Sequence, residues 1–405
     1  MKEKKQKRSK TILWIFLAAV LSFTVGFRAG QINLAQLKSN PANVIFKNSQ
    51  VPSEVTVDLS PFWQAWKIVF NQYIDRADLD QKKVLDGAVS GMVGALGDPY
   101  SAYLSKDENE AIKEDLKGVY EGIGIKLGFS DSKIVVIAPL SGSPAQKAGV
   151  KPSDEIVSID GEKIEGMNIA KAVKLIRGPV GSKVTLELRH SGKDEVVKVE
   201  IRRERISVKS VEVEFLSGKN GEVALIRLSR FGEQTNDEWD AAVSKIVEKN
   251  ISGVVLDLRS NPGGFLNGAN YVASEFLEGR VYGTEEASGN KVFIDAIRKG
   301  KLLDVPLTVL IDKGSASASE IVAGAILTRG RGKLVGEASF GKGSVQNAVD
   351  LDDGSGVLIT VEKWLLPSGD QVSKDGLKPD FEVKGPTAEV EAKDDPVVKK
   401  ALDII

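Results

Sequence analysis

The sequence has no cysteine and a single histidine in 405 residues. The first absence removes disulfide scaffolds and thiolate nucleophiles, and the two together all but remove a zinc site. His190 is left as the only candidate partner for a Ser-His pair. An excess of charge of one sign is missing too. Lys and Arg number 55 against 56 Asp and Glu, a formal net charge of -1. That speaks against a nucleic-acid partner, because phosphate binding needs a basic surface. Aromatic residues are sparse at 6%, yet 42% of residues are hydrophobic and 27% charged. This is a globular composition, in a chain with room for about two or three domains.

One long apolar run is present. "MKEKKQKRSK" is strongly basic, and the stretch from Thr11 to Phe27 is uncharged. The run is at the short end of what spans a bilayer as a helix. A basic flank before it reads as an export signal whose basic end stays in the cytoplasm. "RAGQIN" follows with no A-x-A cleavage pattern. Residues 1–29 are therefore expected to be a retained single-pass anchor in the cell membrane. A cleaved signal peptide, giving a secreted or periplasmic protein, is the alternative. Either way the bulk of the chain is expected outside the cytoplasm.

Residues 30–59 are polar, with Pro41 and Pro52, and read as a linker. Over 60–116 apolar residues recur at helical spacing, at Phe62, Trp66, Val69, Phe70 and Tyr73, then at Val84, Ala88, Met92 and Leu96. Gly97 and Pro99 stop the pattern. This helical region is expected to pack on the core or to make a contact in a homodimer or higher oligomer. Over 117–203 short strands and turns make a compact module. From 204 to 385 strands alternate with helices, which predicts a partly parallel sheet covered on both faces. The tail, 386–405, is charged with a weakly apolar end and is left undecided between a packed helix and a mobile segment. The fold class is a multidomain combination of α+β and α/β parts.

"GEASFGKGS" satisfies G-x-x-x-x-G-K at Gly336, Gly341 and Lys342. A phosphate-binding loop would need Ser or Thr next and then a helix. Gly343 holds that position, and the D-D-G turn followed by alternating residues predicts a hairpin instead. Nucleotide binding is thereby disfavoured. The two S-x-x-K matches, "SDSK" and "SGNK", lack the companion motifs of penicillin-binding enzymes. His190 ends a strand with no serine-bearing turn beside it, and reads as a surface or core histidine.

Two other turns carry chemistry. "KGSASASEIVAGAIL" lies between an apolar strand and a helix. Any one of its serines could simply cap that helix. Its small residues, however, leave room for another backbone, and the helix N-terminus offers N–H groups to an oxyanion. "LDLRSNPGGFLNG" is first a turn. It stands at the carboxyl end of a strand in an α/β sheet, where ligands bind, and Gly263 and Gly264 offer bare N–H donors.

These three turns, with "GAVSGMVGALGDPYSAYLS" and "GLKPDFEV", resemble in their order the carboxyl-terminal processing (tail-specific) protease family. The resemblance implies a Ser-Lys peptidase core of the ClpP/crotonase-like α/β type, a PDZ domain over 117–203, and no cofactor or metal. It assigns the nucleophile to Ser317, the general base to Lys342 and a supporting role to Gln346. It gives the oxyanion donors as the backbone N–H groups of Gly263 and Ala318. The substrates implied are exported proteins cut near apolar C-termini. A catalytically inactive peptide-binding scaffold is the rival reading.

The chemistry can be tested without the resemblance. A Lys base must be neutral, and bringing its pKa from about 10.4 to roughly 7–8 works against the ammonium by about 4 kcal/mol. Burial can supply that. No residue adjacent to Lys342 in sequence is acidic. On a strand, residues 342, 344 and 346 share a face. A Gln346 carbonyl can orient the amine without the net charge that would raise its pKa. The glycines are expected to let a substrate backbone pass close to Lys342.

In the smaller module "GVYEGIGIKL" resembles a PDZ carboxylate loop and groove strand. Gly122, Ile123, Gly124 and Ile125 would hold a peptide C-terminus added as a strand. The helix from Asn168 would form the other wall with Ile169, Val173 and Ile176. Arg177 either caps that helix or couples the groove to the catalytic site.

Overall fold

The computed structural model describes residues 56–130, 133–140, 142–167, 169–190, 192–386 and 390–405. The expected membrane anchor lies outside them. Among the described residues no helix is long and apolar enough to cross a membrane. The described residues divide into two units, one ending at Leu79 and the other running from Asp80 to Ile405.

In the first unit a helix runs over Ser60–Gln72, with Pro61 in its first turn, where a missing N–H costs little. Its rings pack in pairs along the helix, Phe62 edge-on to Trp63 and Trp66 tilted against Phe70, each pair 4.9 Å apart.

The second unit begins with the helix Gln81–Gly94, capped by Asp80 through the N–H groups of Lys82 and Lys83. β1 (Ala102–Leu104) follows, then the helix Lys106–Lys117. Apolar spacing does not predict this second helix, because its sequence is mostly charged. Its end signals explain it. Ser105 and Glu108 form a reciprocal capping box, and Gly118 closes it at φ 67°.

The small module opens with β2 (Val119–Gly122), β3 (Ile125–Ser130) and β4 (Lys133–Pro139). β5 (Glu155–Ile159), β6 (Glu162–Lys163), β7 (Lys183–Arg189), β8 (Val196–Arg202) and β9 (Glu204–Ser207) complete it. β3, β4, β5, β7 and β8 form an antiparallel sheet, with β6 paired to β5. β7 alternates strictly, burying Val184, Leu186 and Leu188. A full burial of each is worth about 1.5–3 kcal/mol. The helix Ile169–Ile176 packs over this core through Ala172 and Ile176. β2 and β9 pair with each other as a separate antiparallel ribbon.

The remaining strands are β10 (Val211–Ser217), β11 (Glu222–Leu228), β12 (Ile251–Asp257), β13 (Arg280–Glu286), β14 (Lys291–Asp295), β15 (Leu307–Ile311), β16 (Lys333–Gly336), β17 (Ser344–Asp350), β18 (Gly356–Leu365) and β19 (Phe381–Glu382). The main sheet has the order β10-β11-β12-β15-β16-β19, parallel throughout except for β10. Val254, Val255 and Leu256 of β12 are all fully buried, as a strand covered on both faces requires. One face packs against the helices Thr235–Val247, Leu266–Ala273 and Ala318–Thr328. The tail covers the other face. Its helix Pro396–Ile404 lays Val397, Val398 and Ala401 on Val223, Leu225 and Val335. A second, antiparallel sheet joins β1, β18, β13 and β14, and β17 pairs with β18 as the expected hairpin. β10 and the β13–β14 hairpin add to the strands expected from sequence, and in β10 the alternation of Val211, Val213 and Phe215 with Glu212 and Glu214 is the signal.

Candidate active site

Neighbouring strands β12, β15 and β16 end at the same edge of the main sheet, and one of the three sequence turns leaves each of them. After β12 comes Asn261–Gly264, after β15 the serine turn, and after β16 the loop to Lys342.

The serine turn separates its three serines by what their hydroxyls do. Ser315 and Ser319 are fully buried. Ser315 Oγ donates to Leu258 O at 2.8 Å and Ser319 Oγ donates to Asn261 O at 2.9 Å. These two hold the turn. Ser317 is part-exposed and has φ 54°, ψ −115° at the start of the Ala318–Thr328 helix. A side chain held in so sparse a backbone region costs about 1–3 kcal/mol, and the surroundings must over-determine it. Ala316 N–H donates to Asn261 O at 3.0 Å, and Ser317 N–H to Glu320 Oε2 at 2.9 Å.

Glu320 is the residue sequence reasoning missed. It is fully buried and accepts from both turns. Oε2 takes the N–H groups of Ser317 and Lys342, each at 2.9 Å. Oε1 takes Ser339 Oγ at 2.6 Å and Gly341 N at 2.7 Å. The Ser-x-x-Glu spacing of a capping box was the available signal.

Lys342 is half-buried. Burial pushes its pKa down from 10.5, while the charges of Glu320 and, more weakly, Asp98 pull it up. The direction is the one a neutral base needs. Its ammonium nitrogen lies 5.4 Å from the centre of the Tyr100 ring. No helix follows it, and β17 starts at Ser344 instead. Gln346 uses its amide on Ser344 Oγ at 2.8 Å and Thr360 Oγ1 at 3.2 Å. Among the described residues no hydrogen bond joins Lys342 Nζ to Ser317 or to Gln346.

Gly263 has φ 105°, and a Cβ there would stand 2.9 Å from Ala316 O and from Ser317 Cβ, and 3.0 Å from Ala318 N. Only glycine lets this turn lie against Ser317. Its N–H is not bare as expected. Asn261 Oδ1 accepts it at 2.9 Å, in the Asx turn that closes over Pro262. The glycines around Lys342 also differ from expectation. A Cβ on Gly341 would meet Lys374 O at 2.4 Å, and one on Gly336 would meet Ile311 O at 2.1 Å. They make room for the protein's own backbone.

Residues 222–383 match the family model Peptidase family S41. Residues 135–190 match PDZ domain, and residues 23–108 match Activating protease CtpB N-terminal domain. Carboxy-terminal processing protease CtpB of Bacillus subtilis (strain 168) is 34% identical over 380 residues, 93% of this chain and 78% of the relative. The chain belongs to the carboxy-terminal processing protease family. Carboxy-terminal processing protease CtpA of the same strain is 37% identical over 325 residues, 80% of this chain and 68% of the relative. Among solved structures, the photosystem II D1 C-terminal processing protease is similar at 28% identity and a TM-score of 0.50. That match covers 80% of this chain and 92% of the solved one. The protease is a serine peptidase with an S41 core and a PDZ domain.

In the PDZ domain a cavity of about 150 Å³ is lined by Ile123, Gly124, Ile125, Val173, Ile176 and Arg177, among others. Gly122 adjoins it from β2, with Arg177 Cγ 3.8 Å from where its Cβ would be. Ile169 does not line it. Arg177 does not cap the helix carbonyls. Arg203 does, donating to Leu175 O and Ile176 O at 2.9 and 2.7 Å. Arg177 stacks over Tyr120 at 4.7 Å and donates to Glu114 at 3.1 Å. His190 bonds Asp154 at 2.7 Å within the same domain.

Proposed function

We propose that the protease is an endopeptidase with a Ser317–Lys342 dyad that cuts exported proteins near apolar, unstructured C-termini. The PDZ domain takes the substrate C-terminus along Gly122–Ile125. Residues 1–29 hold the enzyme to the membrane, with the catalytic part on the extracytoplasmic side.

The observation that carries the reading is the division of labour among the serines. Ser315 and Ser319 are buried ties, while Ser317 is part-exposed in a strained conformation beside Gly263 and is linked through Glu320 to the Lys342 backbone. In the reaction Ser317 Oγ bonds to the peptide carbonyl carbon and its proton passes to Lys342 Nζ. The oxyanion is met by the N–H groups of Ala318 and, once Asn261 releases it, Gly263. The C–N bond then breaks, and the leaving amine takes the proton from Lys342. Water attacks the acyl-enzyme with Lys342 again as base, which frees Ser317. No metal or cofactor enters these steps.

Arg177 couples groove to core. Its partner Glu114 lies on the Lys106–Lys117 helix. From the same helix Asn109 and Lys113 donate to Asp350, at the end of β17 away from Lys342.

The test is a peptide with an apolar C-terminus incubated with the full chain, beside Ser317→Ala and Lys342→Ala. Cleavage by the wild type and loss of at least about 10⁴-fold in both variants is expected. Cleavage that survives Lys342→Ala would remove Lys342 as the base.

A further inference from the structure

Gln346 is committed on both amide hydrogens. Nε2 donates to Ser344 Oγ and to Thr360 Oγ1, so Oε1 is the end left to accept. Amide oxygen and nitrogen have nearly the same shape, and the partners decide which way the group turns. Serine and threonine hydroxyls can give or take a proton, so something must fix their polarity.

Asp98 can do so. It lies far upstream, outside the region that matches the S41 family, on the loop between the Gln81–Gly94 helix and β1. The hydroxyls of Ser101 and then Thr360 hold its carboxyl below the usual range. An ionised carboxylate only accepts. A Thr360 hydroxyl that gives its proton to Asp98 presents lone pairs to Gln346, and the Gln346 nitrogen must face it. The loop is itself pinned on β18. Ser101 Oγ donates to Asp98 at 2.6 Å and accepts Thr360 N–H at 3.0 Å, while Ala102 pairs with Leu358. Tyr100, which donates its N–H to Asp98 at 3.2 Å, brings its ring near Lys342.

We propose that Asp98, acting through Thr360, is a positioning residue for the base: it turns the Gln346 amide so that the carbonyl oxygen is available to Lys342. This rests on Lys342 being the base. The loop at Asp98–Ser101 then belongs to the catalytic apparatus. The carbonyl meets the ammonium that forms when Lys342 takes the Ser317 proton.

The test measures kcat, KM and the pH profile of the full chain on the apolar-ended peptide. Thr360→Val should lower kcat about 10- to 100-fold with KM little changed, as expected for a lost orienting contact. Thr360→Ser keeps the hydroxyl and should stay within about threefold of the wild type on the same scale. Asp98→Asn should lower kcat and move the acid limb to lower pH. Asp98 and Glu320 are the charges that face Lys342, and losing one disfavours its ammonium. Equal kcat for Thr360→Val and Thr360→Ser, or an unmoved acid limb in Asp98→Asn, overturns the proposal. Thermal melting identifies a variant that fails to fold, and if Thr360→Val does so the Asp98→Asn limb decides. An inactive Lys342→Ala beside a wild-type-like Thr360→Val sinks this inference alone, whereas an active Lys342→Ala sinks the base assignment beneath it.

Discussion

The turn that carries Ser317 and the strand that follows Lys342 are held in different ways. Around Ser317 the contacts are buried and mostly go to backbone. Ser315, Ser319 and Asn261 are all fully enclosed, and each bonds a carbonyl of the strand ends or turns beside it. Around Gln346 the contacts are hydroxyls on part-exposed strands, and β17 is exposed from Asn347 onward. Its far end is tied by Lys113 to Asp350, both largely exposed. The turn at Ser317 is over-determined, while the strand after Lys342 stands on contacts that water can replace. An enzyme regulated through its PDZ domain would be adjusted most easily on the Lys342 side.

Substitutions on the two sides should separate them. The largest effect is expected for Glu320→Gln, because Glu320 serves both sides. A Gln nitrogen would face N–H or O–H donors and leave buried groups unpaired. The expected cost is about 3 kcal/mol or more in stability, with kcat down about 100-fold. The surviving activity should have its acid limb at lower pH, since a negative charge that favours the Lys342 ammonium is gone. Urea unfolding and a pH–rate profile check both. Ser315→Ala should come next, costing about 1–3 kcal/mol by stranding Asp312 N–H and leaving Leu258 O with the Asn261 N–H alone. A melting curve unchanged from wild type would mean the serine turn is not the rigid side. The smallest is Arg177→Ala. Its ion pair with Glu114 is exposed, so stability should change by less than about 1 kcal/mol. Cleavage of a peptide that engages the groove should nonetheless fall several-fold relative to one that does not. Equal losses on both peptides would remove Arg177 from the coupling.

Much of the main sheet was readable because its strands are apolar runs closed by turn residues, as in "SGVVLDLR" and "PLTVLID". The turns that hold Ser317, Lys342 and Gly263 were readable because each has an unusual composition, while the choice of Ser317 among its neighbouring serines came from the family resemblance. Features that depend on distant chain were not. Asp98 and Glu320 approach Lys342 only after folding, so reading its sequence neighbours suggested a site free of acids. The glycines of "GEASFGKGS" announced close packing but not the partner, which is Lys374 O and Ile311 O rather than a substrate. Arg203 displaced Arg177 as the helix cap for the same reason. The tail helix was undecided in sequence because its apolar face is short and gains meaning only against β11, β12 and β16.

While Asn261 holds the Gly263 N–H, an oxyanion at Ser317 lacks one of its two proposed donors. Only molecules that have released it bind a transition-state mimic at full strength. The apparent Kd of such an inhibitor is the intrinsic value divided by the fraction of enzyme in the released form. A peptide that occupies the PDZ groove and raises that fraction would tighten the inhibitor without touching it. Inhibitor potency would then work as a gauge, reporting how much of the enzyme is ready to cut at any moment.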